Sequence, residues 1–331
     1  MNIVLTRLDR IGDLVLSTPA IASVRRSWPQ ARVTMVCSAY NAVVMEGNTD
    51  VDEIVSIPRD VRPAILAERY RGAFDLALAL APCAPDFAFV AETRARRRIG
   101  YTYVRRYFAR ATAGFFLTEC LVSEADPELC ERDPGYVVRH EVLQVRDLVR
   151  AAGGTVLVDD LVVPVSREAR ARAARLPEGA IVVHFAPRWL AAGSSFQSFV
   201  ALLWAIRRFG RPVVVTHGPD VAAEAGELKA GGVADFVLGG LAFGEWAATF
   251  ERAAVVVTVD TGATHVASAM RRPTLVLFER RYFALSSQEW APYRVPSVCL
   301  RKPAGDDPAD LAASREEILA GIERLLQTSD A

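Results

Sequence analysis

The sequence has no Cys-x-x-Cys pair. Its five cysteines, Cys37, Cys83, Cys120, Cys130 and Cys299, are scattered and odd in number. That argues against a zinc site or a disulfide framework and suits reduced thiols in a cytosolic protein. No apolar run approaches the roughly 20 residues that a bilayer-spanning helix needs. The charged opening, MNIVLTRLDR, does not read as a secretory signal. Charge of neither sign is in excess: Lys+Arg and Asp+Glu both number 39, so net charge is silent on nucleic acid. A full GxGxxG or P-loop pattern is missing as well.

What is present is an alternation of short apolar runs and helical stretches, in 331 residues of which 51% are hydrophobic. Strands are expected at 2–6, 32–37, 53–57 and 76–80, with helices at 14–27, 39–46 and 63–71 between them. The alternation restarts in the second half. Strands are expected there at 180–185, 212–216, 236–238, 255–259 and 274–278, with helices at 196–209, 221–230, 243–253 and 264–270. Residues 119–135 are acidic, contain cysteine and proline, and read as a loop, while 140–152 reads as a helix. Residues 156–164 read as a linker strand, and 308–327 as an amphipathic helix with Leu311, Ile318, Ile322, Leu325 and Leu326 on one face. Such alternation implies an α/β protein with parallel sheets and right-handed crossovers. The boundary falls near 165, giving domains 1–165 and 166–331.

Three stretches carry candidate chemistry. The turn after the first strand, RLDRIGD, brings Asp13 to the carboxyl edge of its sheet, where ligands of open α/β sheets bind; Asp13 also suits a helix cap. The turn Asp260-Thr261-Gly262 lies between the apolar run VVVTV and a short helix. Unpaired backbone N–H groups and the helix dipole would meet an anion there, or Asp260 or Thr261 serves only as a cap. Residues 94–110 interleave Arg94, Arg96, Arg97, Arg98, Arg105, Arg106 and Arg110 with Tyr101, Tyr103 and Tyr107, a mixture suited to a phosphate-bearing or sugar-bearing partner or to a solvated surface.

RLDRIGDLVLSTPAIASVRRSWPQARVTMVCS resembles the opening of the family 9 glycosyltransferases, the lipopolysaccharide heptosyltransferases. VTVDTGATHVASAMRRPTLVLF resembles their donor-site signature, and ARRRIGY and RPVVVTHGPD fit between. The resemblance implies a GT-B fold, two Rossmann-like domains facing each other across a cleft, with acceptor on the first and nucleotide-sugar donor on the second. It implies inverting, metal-independent transfer of a heptose, usually from ADP-heptose, to a lipopolysaccharide core or other glycan acceptor. No cofactor beyond the donor co-substrate is expected, and the place of work is the cytoplasm or the cytoplasmic face of the inner membrane. Asp13 matches the proposed general base. Thr261, Gly262 and His265 would hold the diphosphate while Asp260 orients the loop. Thr216, Gly218 and Asp220 fall in the stretch that binds the ribose, and Leu241 where an apolar residue lines the adenine. Arg10, Arg97, Arg98 and Arg105 are expected on the acceptor.

Two departures bear on the donor. The family's Lys-x-Trp-Pro loop is here Ala186-Pro187-Arg188-Trp189-Leu190-Ala191-Ala192-Gly193-Ser194-Ser195-Phe196, with Ser194 or a neighbour in the lysine's place and Arg188 as the substitute cation. The family's Phe-Gly-Pro is Phe278-Glu279-Arg280-Arg281. A different donor and acceptor, or a binding-only relative, are the alternatives these departures leave.

Overall fold

The computed structural model describes residues 1–191, 194–303, 305 and 307–329. The chain divides into two compact units, Met1–Pro164 and Val165–Ala331. The first holds β1 (Asn2–Arg7), β2 (Arg32–Ser38), β3 (Glu53–Ile57), β4 (Leu76–Ala79), β5 (Arg97–Tyr103) and β6 (Glu119–Ser123). The second holds β7 (Ala180–Phe185), β8 (Val213–His217), β9 (Phe236–Leu238), β10 (Ala253–Val259), β11 (Thr274–Phe278) and β12 (Ser297–Arg301).

The sheet orders are β3-β2-β1-β4-β5-β6 and β12-β11-β10-β7-β8-β9, with every pairing parallel. Counted from its own first strand, each sheet has the same doubly wound order. The order reverses between β1 and β4 in one unit and between β7 and β10 in the other. At such a reversal the flanking crossovers leave on opposite faces, opening a crevice at the carboxyl edge. The turn carrying Asp13 follows β1, and those carrying Arg188 and Asp260 follow β7 and β10. Those central strands are buried over nearly their whole length, as the β-branched runs lead one to expect.

The helix after β1, Ile11–Ser27, is buried on almost every side from Leu14 to Val24, although its sequence suggests one apolar face. Part of its cover comes from residues 156–162. They form no strand; instead the backbone N–H groups of Val156, Val158 and Val162 donate to the hydroxyls of Ser27, Ser23 and Thr18. Three small hydroxyl residues thus satisfy an extended segment that has no ladder to join.

Residues 119–135 are not simply a loop. They contain β6 and the helix Pro127–Arg132, whose cap Asp126 accepts from the N–H groups of Glu128 and Leu129. Asp-Pro is a cap followed by a first-turn proline, and the half-exposed edge strand before it mixes polar with apolar residues. β12 and the helices Ala84–Glu92 and Phe283–Glu289 also lacked a clear period in the sequence. The long helix Pro308–Ser329 buries Ile318, Leu319, Ile322, Leu325 and Leu326 in the core of its own unit, with Ile181, Leu275 and Val298. Its apolar side chains are thus spent on the second sheet. Gly321 permits the approach, since a Cβ there would stand 2.7 Å from Leu275 Cδ1.

Candidate functional site

In the first unit the last residue of β1, Arg7, is 2% exposed and gathers the site around its guanidinium. Nε donates to Asp9 Oδ1 at 2.9 Å, and Nη1 to Glu141 Oε1 at 3.0 Å and to the Leu80 carbonyl at 2.5 Å. Nη2 lies 3.4 Å from Asp13 Oδ1. Glu141, 1% exposed, opens the helix Glu141–Ala151 and accepts from the Tyr101 hydroxyl at 2.6 Å. One arginine therefore faces three carboxylates, and full ionisation would leave excess negative charge in a poorly hydrated place. Burial, with Asp9 and Glu141 adding to it against Arg7 and Arg10, pushes the Asp13 carboxyl up to about 7. A carboxylate so placed can take a proton near neutral pH.

Asp13 lies within the first helical turn, one position earlier than the sequence reading begins the helix. It is not the cap: that position is Arg10, which makes no side-chain cap hydrogen bond. Arg10 itself is exposed at the same edge.

The expected acceptor arginines do not all arrive there. Arg97 and Arg98 begin β5, level with Leu76 and Ala77 at the start of β4, at the amino edge and away from the Asp13 turn. Arg97 grips both oxygens of Glu119 and the carbonyls of Ala151 and Ala152, while Arg98 donates to the carbonyls of Phe116 and Ala95. Their work is to tie strand, crossover and helix together, and the acceptor role expected for both is corrected on that ground. Arg105 does follow the carboxyl end of β5, but pairs with Asp126 and Glu128.

In the second unit, Asp260-Thr261-Gly262 follows β10, and Gly262 opens the helix Gly262–Ala269. Thr261 is the cap residue, yet its side chain makes no cap hydrogen bond; its hydroxyl lies 3.3 Å from that of Thr258. Arg188, in the turn after β7, donates from Nη1 to the Asp260 carbonyl and to Asp260 Oδ2, both at 2.5 Å. His265 is 5% exposed one turn into the helix.

Further along the edge, the Thr216 hydroxyl is shared between His184 Nδ1 at 3.0 Å and Trp246 Nε1 at 3.3 Å. Burial and nearby His217 lower His184 to about 4, so the ring is neutral at physiological pH. Thr216 thus has its hydroxyl engaged inside the protein. Gly218 and Asp220 follow β8, with Asp220 exposed, and Leu241 follows β9 half-buried. A Cβ on Gly239 would lie 2.3 Å from the His217 ring, so only glycine allows that ring to lie against the chain after β9. Ser194 is half-buried, and Ser195 caps the helix Phe196–Ile206 in a reciprocal pair with Ser198. Ala192 and Gly193 of the same expected loop lie outside the described residues.

The sequence reading missed Arg7, Asp9 and Glu141 in the first unit and Lys302 in the second, and it placed Tyr101 in the basic block, not beside Glu141. Arg7 and Asp9 stand in the same RLDRIGD motif as Asp13. Glu141 is 134 residues from Arg7 and has no local signal. Lys302, 1% exposed, directly follows β12 and donates from Nζ to the Arg188 carbonyl at 2.7 Å and to Glu279 Oε1 at 3.2 Å.

With this geometry stands a match to known proteins. Residues 180–317 match the model of glycosyltransferase family 9 (heptosyltransferase). The resemblance read from the sequence holds over that domain. No curated protein matches the chain. Among solved structures, a family 9 glycosyl transferase from Veillonella parvula is 20% identical, covering 99% of this chain and 97% of its own, with a TM-score of 0.76. The ADP-heptose lipopolysaccharide heptosyltransferase II of E. coli is 18% identical over all of both chains, TM-score 0.73. E. coli heptosyltransferase WaaC, solved with ADP, is 17% identical over 99% of this chain and 100% of its own, TM-score 0.72. The chain therefore has the GT-B fold of the heptosyltransferase-family glycosyltransferases. Among the described residues no helix is long and apolar enough to cross a membrane.

Proposed function

We propose that the protein is an inverting glycosyltransferase that moves a heptose or related sugar from a nucleotide diphosphate donor, ADP-heptose foremost, to a lipopolysaccharide core or other glycan acceptor. Asp13 is the observation that carries this reading. It stands at the switch point of its sheet, beside a buried arginine, with a carboxyl whose proton affinity suits exchange near neutrality. In direct displacement the acceptor oxygen forms its bond to the anomeric carbon as the bond from that carbon to the diphosphate oxygen breaks. Asp13 takes the acceptor's hydroxyl proton, Arg7 fixes the carboxylate, and Tyr101 and Glu141 fix Arg7.

The leaving diphosphate gathers negative charge, and preorganised donors that meet it lower the barrier. The amides that open the Gly262 helix, the Thr261 hydroxyl and Arg188 are suited to this, with His265 behind them. Asp260 orients Arg188. Thr216, Gly218, Asp220 and Leu241 line the strand ends on the nucleoside side. Arg10 and Arg105 remain as acceptor contacts. No metal is assigned to the step, and the donor is a co-substrate in place of a cofactor. Work on a lipid-linked acceptor would set the protein at the cytoplasmic face of the inner membrane.

Arg188 in place of a loop lysine favours one second reading, a family member that has changed its donor. A thermal-shift panel of ADP, GDP, UDP and dTDP separates the two, because only a ligand that binds the native state raises the melting temperature. ADP is expected to give the largest rise; a larger rise with another nucleotide replaces the ADP-sugar assignment. Asp13→Ala is expected to abolish transfer while leaving nucleotide affinity within a few-fold, and a variant with full activity removes Asp13 from the mechanism.

A further inference from the structure

The carboxyl edge of the second sheet carries a row of four charges from four adjacent strands. Asp260, Glu279 and Lys302 are each the first residue beyond β10, β11 and β12, and Arg188 lies three residues beyond β7. Their order along the sheet is therefore Lys302, Glu279, Asp260, Arg188. Two contacts pin the row to the edge: the Lys302 N–H donates to the Phe278 carbonyl at 2.9 Å and the Asp260 N–H to the Leu277 carbonyl at 3.0 Å. Lys302 reaches past the ends of β11 and β10 to the backbone of the Arg188 turn, and is the only one of the four that is almost wholly buried. The chain has just two lysines, the other being Lys229, so an ammonium at this place has no surplus to be drawn from by chance.

Burying an ammonium is costly unless each donor meets an acceptor. Here one acceptor is a carboxylate and the other is the main-chain oxygen of the arginine that faces the Asp260 turn. The next residue of that turn, Trp189, is 3% exposed, and its Nε1 donates to the His184 carbonyl at 2.8 Å. Lys302 and Trp189 thus hold the main chain directly after the Arg188 Cα, and Asp260 accepts from the tip of the guanidinium.

We infer that Lys302 is a positioning residue for the donor diphosphate, acting through Arg188. The inference rests on the proposed donor site, in which Arg188 meets that diphosphate. Lys302 is too buried to touch the ligand itself; it sets where the Arg188 backbone lies and hence which direction the guanidinium leaves it. A diphosphate entering at the Gly262 amides then competes with Asp260 for a cation that is already in place.

A double-mutant cycle tests this, with ADP as the probe and calorimetric affinity as the readout. Lys302→Met and Arg188→Ala are each expected to weaken ADP by about tenfold, the scale of one charge-assisted hydrogen bond. The double variant is expected to bind no more weakly than Arg188→Ala alone, since Lys302 has then nothing to position. A merely structural lysine gives the opposite result: Lys302→Met weakens ADP by the same factor with or without Arg188, and that overturns the inference. Unchanged affinity in Lys302→Met overturns it as well. Should Lys302→Met fail to fold, Lys302→Gln, which keeps an N–H donor, is read in the same cycle. Failure of the wild-type protein to bind any nucleoside diphosphate is a separate result, and it removes the proposed donor site itself.

Discussion

Asp13→Asn is expected to cost transfer activity and to raise stability, with a gain that builds from the pH at which the unfolded carboxyl ionises up to the pH at which the folded one does. The carboxyl is raised from 3.8 to about 7, chiefly by burial. A group whose proton affinity is higher in the folded state contributes stability that is whole below the unfolded value and is lost as pH rises through the folded one. For Asp13 that window runs from 3.8 to about 7. At about 1.4 kcal/mol for each tenfold change in proton affinity, the wild-type protein gives up at most about 4 kcal/mol across it. Asparagine keeps the shape and carries no charge, so it escapes this loss. The attraction to Arg7 is already contained in the shifted value, since Arg7 lowers it against burial. The gain at pH 8 is therefore at most about 4 kcal/mol, or several degrees in melting temperature for a unit of this size. Scanning calorimetry of both proteins from pH 4 to 8.5 reads the difference directly. The difference should be small at pH 4, grow with pH and level off above about 7. A difference that ignores pH, or a variant that grows relatively weaker toward pH 8, refutes the claim that Asp13 is held against ionisation.

The other predictions concern residues around these sites. Asp9→Asn removes one of the charges that raise Asp13, so the acid limb of the wild-type pH–rate profile, expected near 7, should move to lower pH; an unmoved limb detaches Asp9 from the base. Arg97→Met should lower thermal stability by about 1–3 kcal/mol, the cost of stranding buried or half-buried acceptors, and leave the acceptor KM unchanged; a raised KM would return Arg97 to the acceptor site. Gly321→Ala should destabilise the second unit by about 1–3 kcal/mol through overpacking, measured by denaturant unfolding, because its Cβ meets Leu275 at 2.7 Å.

The fold was legible wherever one strand's own residues decide its state. The runs that became β7 and β11 match their expected bounds, since apolar and β-branched stretches buried between helices need no partner to be recognised; the half-exposed edge strands β3 and β9 match theirs as well. β5 and β6 were not legible for the converse reason. β5 begins with Arg97 and Arg98, whose charges are satisfied by Glu119 and by carbonyls far away in sequence, and nothing local reveals those acceptors. The helix Ile11–Ser27 shows the same limit from the other side. Its buried Thr18 and Ser23 have no local partner in the sequence to explain them until residues 156–162 are seen to donate to their hydroxyls, and Ser17 accepts from Arg7.

The candidate sites divide along the same line. Asp13, Asp260 and Arg188 were legible because each lies in a turn directly after a strand, and in a doubly wound sheet the strand ends at the reversal of order are where chemistry gathers. Their settings were not. The proton affinity of Asp13 depends on Glu141 and Arg7 together, and the place of Arg188 on a lysine 114 residues further along. The basic block misled because clustering in sequence was taken for clustering in space. A parallel strand separates its two ends by its whole length, so Arg97 and Arg105 stand at opposite edges of one sheet. Charge on a strand is thus informative only with its position along the strand, and the end that matters is the carboxyl one. By that criterion Lys302, the first residue past β12, belonged among the candidates from the outset, and its absence from them follows from β12 having gone unrecognised.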